Sequence, residues 1–96
     1  MKHIKINICG KNISGFEINL RNSVLVLAKT DKGYVMCGYL NLEAAEKFKD
    51  AACVVKGIKD IPGLLSGKVA DLTTEAKKIG IVCGMTGKEA LEKMTE

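Results

Sequence analysis

With 96 residues, 47% of them apolar and 27% charged, the chain has the balance of one folded globular domain and too little length for two cores. Its net charge of +4 rests on fourteen lysines and one arginine against eleven acids; no like-charged run exceeds Lys77-Lys78, and Phe16, Tyr34, Tyr39 and Phe48 stand in no basic cluster, so nucleic acid is not an expected partner. The longest apolar run, Val24 to Ala28, is far too short to cross a membrane, and Met1 to Ile6 alternate without the apolar stretch of a signal peptide, which together read as a cytoplasmic protein with reduced thiols.

In chain order, Ile4, Ile6 and Ile8 alternate with Lys5 and Asn7 and predict a half-buried strand. Cys9-Gly10-Lys11-Asn12 reads as a hairpin turn of type II′, with Gly10 at positive φ. A second strand follows with Phe16, Ile18 and Leu20 inward, Glu17 and Asn19 outward, and a bulge at Ser14-Gly15. Residues 24–28 are apolar on both faces, as a covered central strand requires. Thr30-Asp31-Lys32-Gly33 turns the chain into a fourth strand, Tyr34 to Cys37.

Asn41 caps a first helix over about 42–50 that buries Leu42, Ala45 and Phe48. Cys53 to Ile58 is a fifth strand, and Asp60 caps a short helical segment with Pro62 in its first turn. Val69, Leu72, Ala76 and Ile79, spaced near 3.6, mark a third helix closed by Gly80. Ile81-Val82-Cys83 reads as a short strand. Thr86 and Glu89 then form a capping box for the last helix, Gly87 to about Met94. Hairpins first and helices after predict an α+β two-layer domain, residues 1–96, with a mainly antiparallel sheet of about five strands and helices packed on one face.

Chemistry is sparse along this chain. Cys9, Cys37, Cys53 and Cys83 form no Cys-x-x-Cys pair and His3 is the only histidine, so no metal and no cofactor is expected. Gly84, Thr86, Gly87 and Lys88 put two flexible backbone positions, a hydroxyl and a cation at one helix start, where a phosphate or carboxylate can be held. Equally, they make a well-capped helix behind a tight turn. This is not a nucleotide-binding P-loop, since Val82 stands where its first glycine belongs and Glu89 where its Ser or Thr belongs.

Cys37 ends a predicted strand four residues before Asn41, beside Gly38, and is the candidate nucleophile or redox thiol. As a small buried hydrophobe it needs no such role. Cys83 precedes Gly84 in the same manner, and the two Cys-Gly corners meet only if their strands are neighbours. Glu43 and Glu46 lie opposite the apolar face of the first helix and read as solvated carboxylates. Met36, Met85 and Met94 read as core or subunit-contact side chains.

The strings Gly33-Tyr34-Val35-Met36-Cys37-Gly38, Leu40, Gly57-Ile58, Ile61 to Leu65, Gly80-Ile81 and Gly84-Met85-Thr86-Gly87-Lys88-Glu89-Ala90-Leu91 resemble the YunC-like family of small bacterial and archaeal proteins over roughly Ile13 to Met94. The resemblance implies a compact α/β domain and carries no assigned activity. It puts Cys37 on the family's Cys-Gly corner, Cys83 where an aliphatic residue is expected, and Lys88 where the family often has Arg.

Two functions follow as expectations. The first is a homo-oligomeric binding or accessory module, a dimer or trimer, with a small anionic ligand at Gly38, Gly84, Thr86, Gly87 and Lys88. A small chain with few aromatics gains from burying apolar surface between copies. The second is a small thiol enzyme built on Cys37.

Overall fold

The computed structural model describes residues 2–38 and 41–95; Tyr39 and Leu40 of the sequence reading lie outside them. Six strands form one sheet in chain order: β1 (Lys2–Ile8), β2 (Lys11–Asn19), β3 (Val24–Lys29), β4 (Gly33–Met36), β5 (Ala51–Val55) and β6 (Val69–Leu72). Neighbours are antiparallel except β4 and β5, which run parallel. A parallel pair needs a crossover, and α1 (Leu42–Lys47) provides it. The remaining helices are α2 (Ile61–Ser66), α3 (Thr74–Lys78) and α4 (Gly87–Thr95). The fold is α+β as expected, with a sixth strand.

That sixth strand occupies residues read from sequence as the start of a helix. Val69 and Leu72 are three apart and both buried, which imitates a helical stripe. The register between β5 and β6 shifts between Val54 and Val55, whose partners are Asp71 and Val69. The extra residue, Ala70, reverses the alternation, so two strand residues of odd spacing reach the same side. Thr73 ends the strand and caps α3, its Oγ1 accepting the Ala76 N–H at 3.3 Å. Residues 81–83, expected as a strand, are irregular, with Ile81 buried and Val82 58% exposed.

Helices cover both faces rather than one. On the inner face Ile6, Ile8, Val26, Val35 and Cys53 pack in one core with Leu64 of α2 and Leu91 of α4. Both leucines are fully buried, which is worth about 1.5–3 kcal/mol each. On the outer face Met36, Ala52 and Val54 pack against Ala45 of α1. All five residues of β5 are buried because it alone is covered on both sides over its whole length.

Four local expectations are corrected. The β1–β2 turn has positive φ at both Cys9 (52°) and Gly10 (80°), which makes it type I′ rather than II′. The β1–β2 register runs unbroken through Ser14 and Gly15, so no bulge is present there. Gly15 instead makes room: a Cβ on it would lie 2.7 Å from Ile6 Cδ1 and 3.0 Å from Ile61 Cδ1. Since Gly15 and Ile13 face the inner core, Phe16 and Ile18 turn to the outer face, the reverse of the expected parity. Finally, α1 stops at Lys47 and Lys49 takes φ 58°, which leaves Phe48 77% exposed rather than buried.

Candidate functional site

The turn before α4 forms as its sequence predicts, and its Gly84, Met85, Thr86, Gly87 and Glu89 N–H groups are already occupied. The Thr86 N–H and Oγ1 both donate to Glu89 Oε1 at 3.1 Å, and the Glu89 N–H donates to Thr86 Oγ1 at 3.1 Å. Gly84 N–H donates to Val69 O at 3.0 Å, Met85 N–H to Val82 O at 3.3 Å, and Gly87 N–H to Gly67 O at 2.9 Å. The anion at this helix start is therefore the chain's own Glu89, whose carboxyl is held below its ordinary value by the Thr86 N–H first and the Thr86 hydroxyl second. Gly87 serves contact: a Cβ there would stand 2.0 Å from Leu64 O, so α4 approaches α2 backbone to backbone. Lys88 is exposed.

The other half of the predicted site opens differently. Cys37 and Gly38 follow β4, and Gly57, Ile58 and Lys59 follow β5. Because the two strands are parallel, both carboxyl ends emerge at the same edge of the sheet, the place where open sheets of this kind hold ligands. The end of β2 and the loop that follows it close the third side with Asn19, Asn22 and Ser23. Together they line an open cleft of about 550 Å³, within the usual range of small-molecule sites. None of Gly84, Thr86, Gly87 and Lys88 lines it.

Its polar lining is two amides, a hydroxyl and one cation, Lys59; among the described lining residues there is no carboxylate. Lys56 lies alongside, its Cγ 3.8 Å from where a Gly38 Cβ would be. The acids nearest in sequence are committed elsewhere: Asp60 Oδ1 accepts the Gly63 N–H at 2.7 Å, and Glu17 Oε2 accepts the Ile61 N–H at 2.8 Å. Both thereby cap α2. Gly57 takes φ 74° with open space where a side chain would be, so bare backbone faces the cleft. Lys59 and Asn22 carry no motif in the sequence; the family resemblance at Gly57-Ile58 was the one available pointer.

The thiols are distributed between surface and core. Cys37 is 3% exposed in the cleft wall, where its Sγ accepts the Val26 N–H at 3.3 Å. Cys53 is fully buried on β5, and that burial, with Cys83 adding to it, pushes its thiol up to about 12. Cys83 is exposed, its Sγ 3.6 Å from Ala70 O. The cysteine that Cys83 influences is thus Cys53, and Cys83 does not line the Cys37 cleft.

A family described as a domain of unknown function (DUF1805) matches residues 36–94, from the end of β4 through most of α4. The uncharacterized protein YunC of Bacillus subtilis (strain 168) is 33% identical over 93 residues, 93% of this chain and 92% of that protein. The crystal structure of a protein of unknown function, TA1206 from Thermoplasma acidophilum, agrees with a TM-score of 0.92 at 39% identity, over 97% of this chain and 91% of that one. The matched region holds both Cys37-Gly38 and Gly84 to Lys88, and the chain belongs to this YunC-like family of unknown function.

Proposed function

We propose that the protein is a cytoplasmic, homo-oligomeric binding module for a small anionic molecule, held in the cleft at the carboxyl ends of β4 and β5. The observation that carries this reading is the composition of that cleft: Lys59, amide side chains and the bare backbone of Gly38 and Gly57, with no acid among the described lining residues. The Gly84–Lys88 turn keeps a weaker claim, because the Gly84, Met85, Thr86 and Gly87 N–H groups are spent on protein acceptors.

Thermal shift with inorganic phosphate, pyrophosphate and citrate tests the reading. A ligand at a hundred times its dissociation constant stabilises the folded state by about 2.7 kcal/mol, which at about 4–8 °C per kcal/mol is a large shift for a domain of this size. The shift is expected to vanish in Lys59→Ala and in Gly38→Leu and to persist in Lys88→Ala. Loss in Lys88→Ala alone would return the site to the α4 turn, and no shift with any of the three anions would remove the anionic reading.

A second reading has Cys37 as a thiol nucleophile or redox residue, and its place in the cleft wall is what favours it. Among the described lining residues there is no histidine or carboxylate to take its proton. Under the binding reading iodoacetamide labels only Cys9 and Cys83 in the folded protein, which are the exposed pair. Fast labelling of Cys37 before unfolding would favour the enzyme.

A further inference from the structure

The outer face of the sheet is half covered. α1 lies over β4 and β5, where Ala45 packs on Met36, Ala52 and Val54. No helix of the described chain lies over β1, β2 and β3 on that side, whose outward residues include Phe16, Ile18 and Leu27, all half-buried. His3 stacks on Phe16 with ring centroids 4.8 Å apart. Between α1 and the strands runs a groove of about 410 Å³ floored by Leu27, Tyr34 and Met36, with Phe48 standing 77% exposed at its rim. Phe16, Ile18 and Phe48 have the spacing of core residues, yet one copy of the chain gives them no core.

We propose that this outer face is the interface of a two-fold homodimer, with the axis running along the strands between β3 and β4. The face is a ridge, α1, beside a valley, β1 to β3. A two-fold rotation about that axis lays each ridge in the other copy's valley, which satisfies the requirement that an isologous interface be self-complementary. The two short helices become one layer between two sheets, and the two Phe48 side chains meet near the axis over the grooves.

Charge agrees with the fit at one end of the helix. The outward residues of β1 to β3 include His3, Lys5 and Lys29 and no acid, whereas α1 carries Glu43 in its first turn, with no ion pair among the described residues, and Lys47 in its last. The rotation carries Glu43 over the partner's basic valley. Size agrees as well. A standard interface takes about 800 Å² from each partner, roughly one seventh of this chain's 5730 Å² surface. Six strands about 4.8 Å apart span roughly 24 Å from first to last, and a face of that width, roughened by α1 and projecting side chains, is of the right extent. The cleft at the β4 and β5 ends opens at the sheet's edge rather than on this face, so dimerisation and ligand binding are separable.

Sedimentation equilibrium of the untagged protein across the micromolar range decides the matter. The expected mass is twice 10.3 kDa. Phe48→Glu alters an exposed side chain, so the fold should persist by circular dichroism while dimerisation weakens at least about thirtyfold, the loss typical of a central aromatic anchor. Ser14→Glu places a carboxylate between Lys5 and Lys29, which a monomer tolerates but a covering helix does not; it should dissociate the dimer too. Val82→Glu, at an exposed apolar residue off this face, should leave the dimer intact. A monomer throughout, a trimer, a dimer indifferent to both Phe48→Glu and Ser14→Glu, or one broken by Val82→Glu would each overturn the proposal.

Discussion

Gly87→Ala separates a glycine kept for packing from one kept for a ligand. The new Cβ would lie 2.0 Å from Leu64 O, and that atom is backbone, so no side chain can swing away. To restore even a 3.0 Å contact, α4 and α2 must part by about 1 Å. Overpacking of this kind costs about 1–3 kcal/mol, and stretching the Gly87 N–H to Gly67 O bond removes up to about 1 kcal/mol more. Alanine returns about 0.4–1 kcal/mol by restricting the unfolded chain. At the midpoints of these ranges the net loss is about 2 kcal/mol, out of a total of about 5–14 kcal/mol for a chain of this length. The melting temperature should fall by roughly 8–16 °C, read by far-ultraviolet circular dichroism without any ligand. Gly84→Ala is the comparison: nothing lies within 4 Å of its Cβ, but φ is 95°, so it carries only the left-handed backbone cost of about 1–2 kcal/mol. If Gly87→Ala melts with the wild type, the α2–α4 contact does not depend on glycine and the reasoning fails.

Thr73→Val should destabilise by about 2–4 kcal/mol, because its hydroxyl accepts the Ala52 and Ala76 N–H groups and donates to Asp50 O, while Thr73→Ser should recover most of the loss; equal urea midpoints for Val and Ser would refute this. Gly15→Ala should cost less, about 1 kcal/mol, since the obstructing atoms are the ends of Ile6 and Ile61, and a loss above that of Gly87→Ala would contradict the ranking. Folding lowers the Glu89 and Glu46 carboxyls from an ordinary 4.5, Glu89 through Thr86 and Glu46 through the Thr74 hydroxyl and N–H. Their contribution is therefore complete above pH 4.5 and fades as the pH falls through the lowered folded values. Urea titrations should show this acid loss, and a double Glu46→Gln, Glu89→Gln variant should flatten it; an unchanged slope would assign the loss to other groups.

Local chemistry was legible wherever a few adjacent residues decide the outcome. Asn41, Asp60 and the Thr86–Glu89 pair cap their helices as their types imply, since a cap depends on a side chain and an N–H two or three residues away. The candidate site was only half legible. Cys37 and Gly38 reach the cleft as their strand-end position suggested, whereas Lys59 and Asn22 arrive there from strands and loops distant in sequence.

By itself the sequence determined the hairpin-rich first half, the family, the helix caps and the absence of metal-ligand spacing, because these rest on alternation, motif order and residue type. Only the tertiary structure decided which side of β2 is inside. Period-two alternation names two faces without ranking them, and the approach of α2 to Gly15 settles the choice in favour of Ile13 over Phe16. It also decided that 69–72 is a strand, because a bulge against β5 gives Val69 and Leu72 the spacing of a helix. The fate of the Gly84–Lys88 turn was likewise tertiary: the same N–H groups that invite an anion in the sequence find Val69 O, Gly67 O and Glu89 in the fold, and a donor already paired has little to offer a ligand.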